Sequence, residues 1–275
     1  MAFAPSYTRF AILPPPRRAI SDPFQNIQTD SRRHDELLAE MQRFRGRIYA
    51  DDGAIRQSDL TKDGRHRVPV DEYSWHVLSL DHDGHICACV RYLEETRAGG
   101  FDDLWVRHAA VTRSEDRLRF RAAVETEMWK ARQMRIGFGE VGGWAVAERH
   151  RGTMEPLRII LATYGLLELL GSCTGVATAT ARHGSASILR RIGLTSLMSD
   201  GAAMEPYYDP QYECEMELLR FDSRRPHPKY VPAVRELKSV LASAPVIRRE
   251  NLRGTLQVVI RGLEFPVTEA LAPAV

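Results

Sequence analysis

Residues 140–154 bring together side chains and backbone features that could bind an anion. A strand-like run ends there, Arg149, Arg151 and Gly152 follow, and an apolar, helix-like run comes next. The start of a helix presents backbone N–H groups that no carbonyl of the helix accepts, and arginines add positive charge. Glycine lets the backbone approach a ligand closely. The segment therefore predicts a seat for a phosphate group. The alternative is a plain strand-to-helix turn with solvated arginines.

The strand-like run itself carries an acidic residue and a pair of glycines. Glu140 stands at its beginning, and Gly142 and Gly143 follow. Consecutive glycines weaken a strand or make it bulge, because they have no side chain to pack and tolerate unusual backbone angles. We therefore expect a gap beside this strand, with a carboxylate near the edge of the gap.

The composition excludes several classes of protein. The chain has 275 residues, of which 44% are hydrophobic and 27% charged, and its net charge is +2. These values are typical of a globular protein with one large domain, and they do not require nucleic acid as a partner. The most apolar segment, 157–171, is too short for a membrane span and contains Arg158 and Glu168. Since no secretory signal is visible and there are only four cysteines, we expect a cytoplasmic protein.

The spacing of apolar residues predicts helices and strands in alternation. Apolar side chains recur at three- and four-residue intervals between Leu37 and Ile48, which is typical of an amphipathic helix, and order is expected from Asp30 onwards. Asp83-Gly84 between two apolar runs predicts a hairpin. The other predicted helices are 113–135, 157–170, 185–191 and 232–242, and the predicted strands are 75–80, 85–93, 140–147, 175–181, 213–221 and 255–260. On helix 113–135 the expected buried side chains are Leu118, Ala122, Met128 and Trp129.

This order of elements is that of an α/β fold with a mixed sheet. Residues 1–29 are rich in proline and are predicted to form an N-terminal arm without a core of its own. Residues 30–222 form the predicted main domain. Residues 223–275 are predicted to be a C-terminal extension with one helix and one strand.

Three short motifs are coincidental. Gly137-Phe-Gly-Glu-Val-Gly142 matches the dinucleotide fingerprint, but a helix precedes it and a strand follows, which is the wrong order. Gly171-Ser-Cys-Thr-Gly175 resembles a nucleophile elbow but also runs from helix to strand. His85, Cys87 and Cys89 share one face of a strand, where side chains two apart lie about 6.7 Å from each other. No metal site is expected there or elsewhere.

The sequence resembles the GNAT acyltransferase superfamily. Arg149-x-x-Gly152-x-Met154 approximates the Arg/Gln-x-x-Gly-x-Gly/Ala pyrophosphate loop and departs from it at Met154. The likeness is closer to one branch, the long-chain N-acyl amino acid synthases and the acyl-homoserine-lactone synthases. The other motifs that carry it lie in order over about residues 36–222: Arg47-Ile-Tyr49, Asp71-Glu-Tyr73, the hairpin 83–92, Tyr207-Tyr208-Asp209 and the run 212–222.

The resemblance implies a GNAT-like fold, in which helices flank a mixed, splayed β-sheet and the donor lies between two parallel strands. An acyl-pantetheine arm would occupy the space between 142–147 and 175–181, where backbone N–H groups polarise the thioester carbonyl. The implied donor is an acyl-CoA or the thioester of an acyl carrier protein, and no metal is required. The residues expected to bind the donor are Ala145, Val146, Arg149, Arg151, Gly152, Thr153 and Met154.

The resemblance also implies which residues meet the acceptor. Glu140 is the expected base for the acceptor amine, and His183 is the reserve candidate. Arg47, Arg91 and Trp144 are expected to contact the acceptor. For Arg47 the equally weighted alternative is that it caps a solvated helix, and Arg91 is similarly ambiguous.

The implied function is transfer of an acyl chain, expected to be long, to the amine of a small acceptor such as an amino acid. One alternative is acyl-homoserine-lactone synthesis with S-adenosylmethionine as acceptor. Another is a non-catalytic protein that senses acyl chains or their carrier. Arg182, Arg190 and Arg191 lie in a stretch, 181–199, without acidic residues. They form either a basic rim suited to an acidic acyl carrier protein or a solvated helix face.

Overall fold

The computed structural model describes residues 8–250 except for 17, 21 and 96–98. The strands in these ranges are β1 (Arg9–Leu13), β2 (Asn26–Thr29), β3 (Trp75–Leu80), β4 (Ile86–Glu94), β5 (Gly137–Val146), β6 (Cys173–Thr180), β7 (Thr195–Ser196), β8 (Met198–Ser199), β9 (Ala202–Ala203), β10 (Tyr207–Asp209), β11 (Cys214–Asp222) and β12 (Pro245–Arg248). The helices are α1 (Ser31–Asp51), α2 (Arg117–Gln133), α3 (Glu148–Arg151), α4 (Glu155–Leu169), α5 (Ser185–Ile192) and α6 (Val231–Ser243).

Most strands belong to one ten-stranded sheet in the order β10-β11-β6-β5-β4-β3-β1-β12-β2, with β7 also paired to β11. Strands β5 and β6 are parallel, and β12 runs parallel to both β1 and β2, whereas the remaining pairs in this sheet are antiparallel. Helices α4 and α6 cover one face, and α1 and α2 cover the other. The predicted mixed sheet flanked by helices is therefore confirmed. No helix in the described ranges is long and apolar enough to cross a bilayer.

Several elements lie where the sequence predicts them. Strand β3 has the predicted bounds. Helix α1 begins after Asp30, whose side chain accepts the Arg33 N–H at 2.8 Å, a typical N-cap. Helix α5 ends at Gly193, which adopts the left-handed conformation that favours glycine. The predicted strand 255–260 lies outside the described residues.

Strands β1, β2 and β12 are among those that the sequence did not predict. Residues 10–13 of β1 are all buried, so the strand lacks the alternation of apolar and polar residues that identifies a half-exposed strand. Strands β2 and β12 have only four residues each. In the sheet β12 lies between β1 and β2, although it comes from the other end of the sequence. The predicted N-terminal arm, 1–29, and the predicted C-terminal extension, 223–275, thus contribute strands to the same sheet as the predicted main domain.

Of the four side chains predicted to be buried on α2, Met128 is buried and the other three are not. Leu118 is 69% exposed and Trp129 is 60% exposed, and Ala122 is exposed as well. The buried stripe is Phe120, Ala123, Val124, Glu127, Met128 and Ala131. Glu127 makes this stripe hard to recognise in the sequence, because a charged residue is not expected on a buried face. It is buried because it forms ion pairs with Lys130 and Arg220.

Strands β5 and β6 separate part-way along their length. They pair in parallel from Gly137 and Cys173 to Glu140 and Val176, and no pairing follows. On its other side β5 stays paired with β4 through a bulge, in which Gly143 has a φ of 63°. The separation therefore begins at Glu140, slightly before the glycine pair, and beyond it β5 and β6 no longer pair with each other.

Replacing Gly143 with alanine should destabilise the protein. The left-handed backbone alone costs about 1–2 kcal/mol for a residue with a Cβ. That Cβ would also lie 3.2 Å from both Arg45 Nη1 and Arg91 Cβ. Gly100→Ala is the matched control, because a Cβ at that position meets no atom within 4 Å. Urea denaturation giving equal unfolding free energies for the two variants would contradict the assigned bulge.

Candidate active site

A cavity of about 330 Å³ occupies the space where β5 and β6 separate. Residues 141–146 line one side, and residues 177–180 line the other. Part of the wall is apolar and includes Ile160, Ile188 and Leu189. The rest is polar and includes charged residues from α1, β4 and β5. The predicted gap beside the glycine-containing strand is therefore present.

Four charged residues form a buried network beside the cavity: Arg45, Asp71, Arg91 and Glu140. Each is at most 4% exposed. Arg45 binds Asp71 through both carboxylate oxygens, with Nη1–Oδ1 at 2.9 Å and Nη2–Oδ2 at 2.6 Å. Arg91 Nη2 donates to Glu140 Oε1 at 3.1 Å, and its Nη1 lies 3.9 Å from Asp71 Oδ1. We call these four residues the buried charge network.

The elements around the cavity hold this network in place. Arg45 lies on the inner face of α1, and Asp71 lies in a 3₁₀ helix, Pro69–Tyr73, where its Oδ2 also accepts hydrogen bonds from Gln42 and the Val68 N–H. Charges removed from water are costly unless they are paired and hydrogen-bonded. Two cations and two anions balance here, so loss of any one member would leave a buried charge without its counterion.

Glu140 is the member of the network at the point where the strands separate. Its Oε2 accepts the Val106 N–H at 2.8 Å, while Oε1 binds Arg91. Burial raises the pKa of Glu140 above its usual value, although the Arg91 guanidinium acts in the opposite direction. Glu140 lines the cavity, so a carboxylate of raised basicity faces the space where a ligand would lie.

His66 is a cavity residue that the sequence analysis missed. It is half-buried beside Arg45, whose Nη2 donates to the His66 carbonyl at 2.7 Å. Burial and the positive charge of Arg45 lower the pKa of His66 to about 4. The imidazole is therefore neutral near pH 7 and offers a proton acceptor on the polar wall. It lies in a polar segment, 51–72, for which the sequence predicts neither helix nor strand, and nothing in the local sequence distinguishes it.

Six of the predicted site residues line the cavity: Glu140, Ala145, Val146, Arg91, Trp144 and Arg151. Trp144 also accepts a hydrogen bond at its carbonyl from the Tyr49 hydroxyl, which fixes β5 against α1 at 3.2 Å. The structure thus brings together residues that lie far apart in the sequence.

The other predicted residues lie elsewhere. Arg47 is exposed and does not line the cavity, whereas Arg45 does. Residues two apart on a helix point to nearly opposite faces, so only one of the two arginines can face inward. Arg149 is 63% exposed and binds Asp81 instead. The side chain of His183 lies outside the described part of the structure.

Three of the residues predicted to form the anion seat lie outside the cavity. Gly152, Thr153 and Met154 are exposed and do not line the cavity. Thr153 Oγ1 accepts the Glu155 N–H at 3.1 Å, and Pro156 has no N–H to offer. The Glu155 carboxylate is buried there and pairs with Arg158. The first turn of α4 therefore carries a buried, ion-paired carboxylate, and the anion seat stays a prediction.

Comparison with solved structures identifies the fold. The structure is similar to that of BjaI, a CoA-dependent acyl-homoserine lactone synthase, with S-adenosylmethionine and isopentyl-CoA. The TM-score is 0.53 with 11% identity, over 91% of this chain and 99% of that one. The chain has the fold of this synthase. FeeM, an N-acyl amino acid synthase from uncultured soil microbes, is less similar, with a TM-score of 0.44 and 10% identity over 67% of this chain and 84% of that one.

The acyl-homoserine lactone synthase fold agrees with the GNAT-like fold that the sequence resemblance implied. No protein-family model matches the sequence, and no curated protein is significantly similar to it.

The buried histidines should make the protein less stable in mild acid. Burial lowers the pKa of His76 to about 4, and its Nε2 lies 2.9 Å from the Asp71 carbonyl. Between that value and about 6.5 the unfolded chain binds a proton that the folded chain does not, so stability falls as the pH falls. Asp71 stays ionised throughout, because Arg45 outweighs burial and holds the pKa of that carboxyl below its usual range.

From pH 7 to pH 5, His76 should account for a loss of about 2 kcal/mol in unfolding free energy. Urea denaturation at the two pH values should show a shallower pH dependence in His76→Gln than in the natural sequence. His82→Gln is the control, because this imidazole is 80% exposed on a turn. An unchanged pH dependence in the His76 variant would refute the assignment.

Proposed function

We propose that the chain is an enzyme that transfers an acyl group from a pantetheine thioester to the amine of a small acceptor. The observation that carries this proposal is the separation of β5 and β6 directly beside the buried Glu140 carboxylate. An extended thioester arm needs a narrow cleft with free backbone hydrogen-bonding groups, and amine attack needs a proton acceptor. Both requirements meet at the same place in this fold.

The cleft suits an extended donor. From Val141 onwards β5 has no partner on the β6 side, so its backbone groups on that edge can pair with the amides of a pantetheine arm as a further strand would. Backbone N–H groups aimed at the thioester carbonyl would stabilise the oxyanion that forms on attack. The apolar wall around Ile160, Ile188 and Leu189 accommodates the hydrocarbon part of the acyl group.

The acceptor amine would lie against the polar wall. Tyr212 lines this part of the cavity, and its hydroxyl makes no hydrogen bond to a described residue. Burial raises the pKa of Tyr212, so the hydroxyl stays protonated and can donate a hydrogen bond. Together with the neutral His66, it offers a donor and an acceptor to a small polar molecule such as an amino acid.

In the proposed reaction the amine nitrogen forms a bond to the thioester carbonyl carbon, and the carbon–sulfur bond then breaks. Glu140 accepts the proton that the amine loses, directly or through water, and the leaving thiolate takes up a proton from Glu140 or from water. The α-amine of a free amino acid is mostly protonated near pH 7, so a base must remove a proton before or during the attack. Arg91 keeps Glu140 oriented toward the cavity and stabilises its ionised form.

Glu140→Gln should abolish most of the activity. Loss of a general base costs about 10²- to 10⁴-fold in rate, while binding of the donor should change little. The assay follows N-acyl products by mass spectrometry, with purified protein, acyl thioesters and a panel of amino acids. Glu127→Gln is a matched control, since Glu127 is 3% exposed and ion-paired but does not line the cavity.

Equal turnover by the Glu140 variant and the natural sequence would contradict the role given to this carboxylate. Thioester binding without any N-acyl product from the natural sequence would favour a sensor over an enzyme. Product formed only with S-adenosylmethionine would indicate acyl-homoserine-lactone synthesis.

A further inference from the structure

A buried carboxylate without a cationic partner lines the cleft. Asp209 ends β10 and is 5% exposed. Its Oδ1 accepts the Gln211 N–H at 2.9 Å, whereas its Oδ2 makes no hydrogen bond to a described residue. Among the side chains that the structure describes, no arginine, lysine or histidine nitrogen lies within 4.0 Å of either oxygen. Arg182 also lines the cavity, but its Nη2 donates to the Glu213 carbonyl at 2.7 Å.

The lack of a counterion sets Asp209 apart from the other buried carboxylates. Each of the others in the described part of the chain forms an ion pair with an arginine: Asp71, Asp81, Glu95, Glu127, Glu140, Glu155 and Asp222. A carboxylate removed from water without a counterion destabilises a fold. At Asp209 the open cavity lies where the other sites have their arginine. A cation that enters the cavity would complete this site in the same way.

The pairing of β10 with β11 points Asp209 into the cavity. Side chains two apart on a strand share a face, and residues opposite each other on paired strands share it as well. Asp209 and Tyr207 lie opposite Cys214 and Met216, and all four residues line the cavity. Tyr208, between the first two, is 61% exposed on the other face. The orientation of Asp209 therefore follows from the register of this hairpin.

Asp209 gives the polar wall of the cavity a negative charge. The buried charge network contains two cations and two anions, and the neutral His66 does not alter this balance. Burial raises the pKa of Tyr207, and the carboxylates of Asp209 and Glu140 act in the same direction, so both lie near its hydroxyl. A ligand beside Glu140 therefore meets a polar wall with one uncompensated negative charge.

We infer that Asp209 selects an acceptor with a second amine, and that it binds the side-chain ammonium group of a small diamino acid. The inference rests on the proposed function, because it assumes that an acceptor amine reaches the thioester beside Glu140. It names the class of the acceptor and assigns a residue that determines specificity for it. The α-amine attacks the thioester, while the second amine stays protonated and pairs with the Asp209 carboxylate.

The chemistry of a diamino acid matches this division of roles. A side-chain amine has a pKa of about 10.4, so it is a cation near pH 7, and pairing with a buried carboxylate stabilises that charge further. The α-amine is the less basic of the two and loses its proton more readily. Tyr207 and Tyr212 line the same part of the cavity, and the faces of tyrosine rings attract an ammonium group. The product should therefore carry the acyl group on the α-nitrogen.

The test compares pairs of acceptors that differ only in the terminal ammonium group. L-2,4-diaminobutyrate, L-ornithine and L-lysine are each paired with the amino acid in which a methyl group replaces it, namely L-norvaline, L-norleucine and L-2-aminoheptanoate. The donors are the decanoyl thioesters of coenzyme A and of an acyl carrier protein. For the best pair, kcat/KM should be about 10- to 100-fold higher with the diamino acid, the range for hydrogen bonds to charged groups. Fragmentation in the mass spectrometer should place the acyl group on the α-nitrogen.

Asp209→Asn should remove most of this preference. Asparagine keeps the oxygen that accepts the Gln211 N–H, so the turn after β10 is retained. Turnover of the diamino acid should fall, whereas turnover of its methyl counterpart should rise, because the methyl group no longer desolvates a carboxylate. The rise also reports that the variant is folded. Asp209→Glu should retain part of the preference.

Glu215→Gln is the matched control for the loss of a negative charge. Glu215 lies on the same hairpin, opposite Tyr208, and its exposed side chain does not line the cavity. This variant should prefer the diamino acid as strongly as the natural sequence does. An equal loss of the preference in the Glu215 and Asp209 variants would overturn direct binding of the ammonium group by Asp209.

The remaining outcomes separate the inference from the proposed function. Equal turnover of diamino acids and their methyl counterparts, an unchanged preference in Asp209→Asn, or acylation of the side-chain nitrogen would overturn the role of Asp209 while acyl transfer itself stands. If the natural sequence acylates no acceptor of either kind, the proposed function fails, and the acceptor class assigned to it fails as well.

Discussion

The interruption of one pair of parallel strands is the constraint on which the other features of this protein depend. In a continuous sheet the backbone groups of β5 and β6 would satisfy each other, and no ligand could lie between them. Pairing stops at Glu140 and Val176, and the bulge at Gly143 re-aims the following residues while β5 stays attached to β4. The cavity, its polar wall and the exposed strand edges all follow from this local loss of pairing.

The buried charge network gives this cavity a wall with charged groups. Asp71 and Glu140 could not remain ionised in the interior without Arg45 and Arg91, and the two arginines could not be buried without them. The arginines nevertheless offset the effect of burial on the pKa to different extents for Asp71 and Glu140. Asp71 is held ionised by a bidentate partner, whereas burial outweighs the pairing of Glu140 and raises its pKa. Asp71 is therefore held ionised, whereas Glu140, which lines the cavity, has a raised pKa.

Structural features that depend on a few neighbouring residues could be predicted from the sequence. Helical spacing located α1, an Asp-Gly turn located the β3–β4 hairpin, and the glycine pair indicated a gap beside β5. The site was less predictable, because Arg45 and Arg47 differ only in which face of α1 they occupy, and Asp71 and His66 come from a segment without regular spacing. Glu155 and Pro156 were visible in the sequence, but the helix was predicted to begin only at 157. The buried carboxylate in its first turn was therefore missed.

The central claim is that an acyl-pantetheine arm lies between the separated strands. A crystal structure of the protein with a hydrolysis-resistant analogue, in which an amide replaces the thioester of decanoyl-phosphopantetheine, tests this claim most directly. We expect the arm to lie between residues 141–146 and 177–180, with its carbonyl group near Glu140. An analogue bound elsewhere, or β5 and β6 hydrogen-bonded to each other along their whole length, would contradict the account.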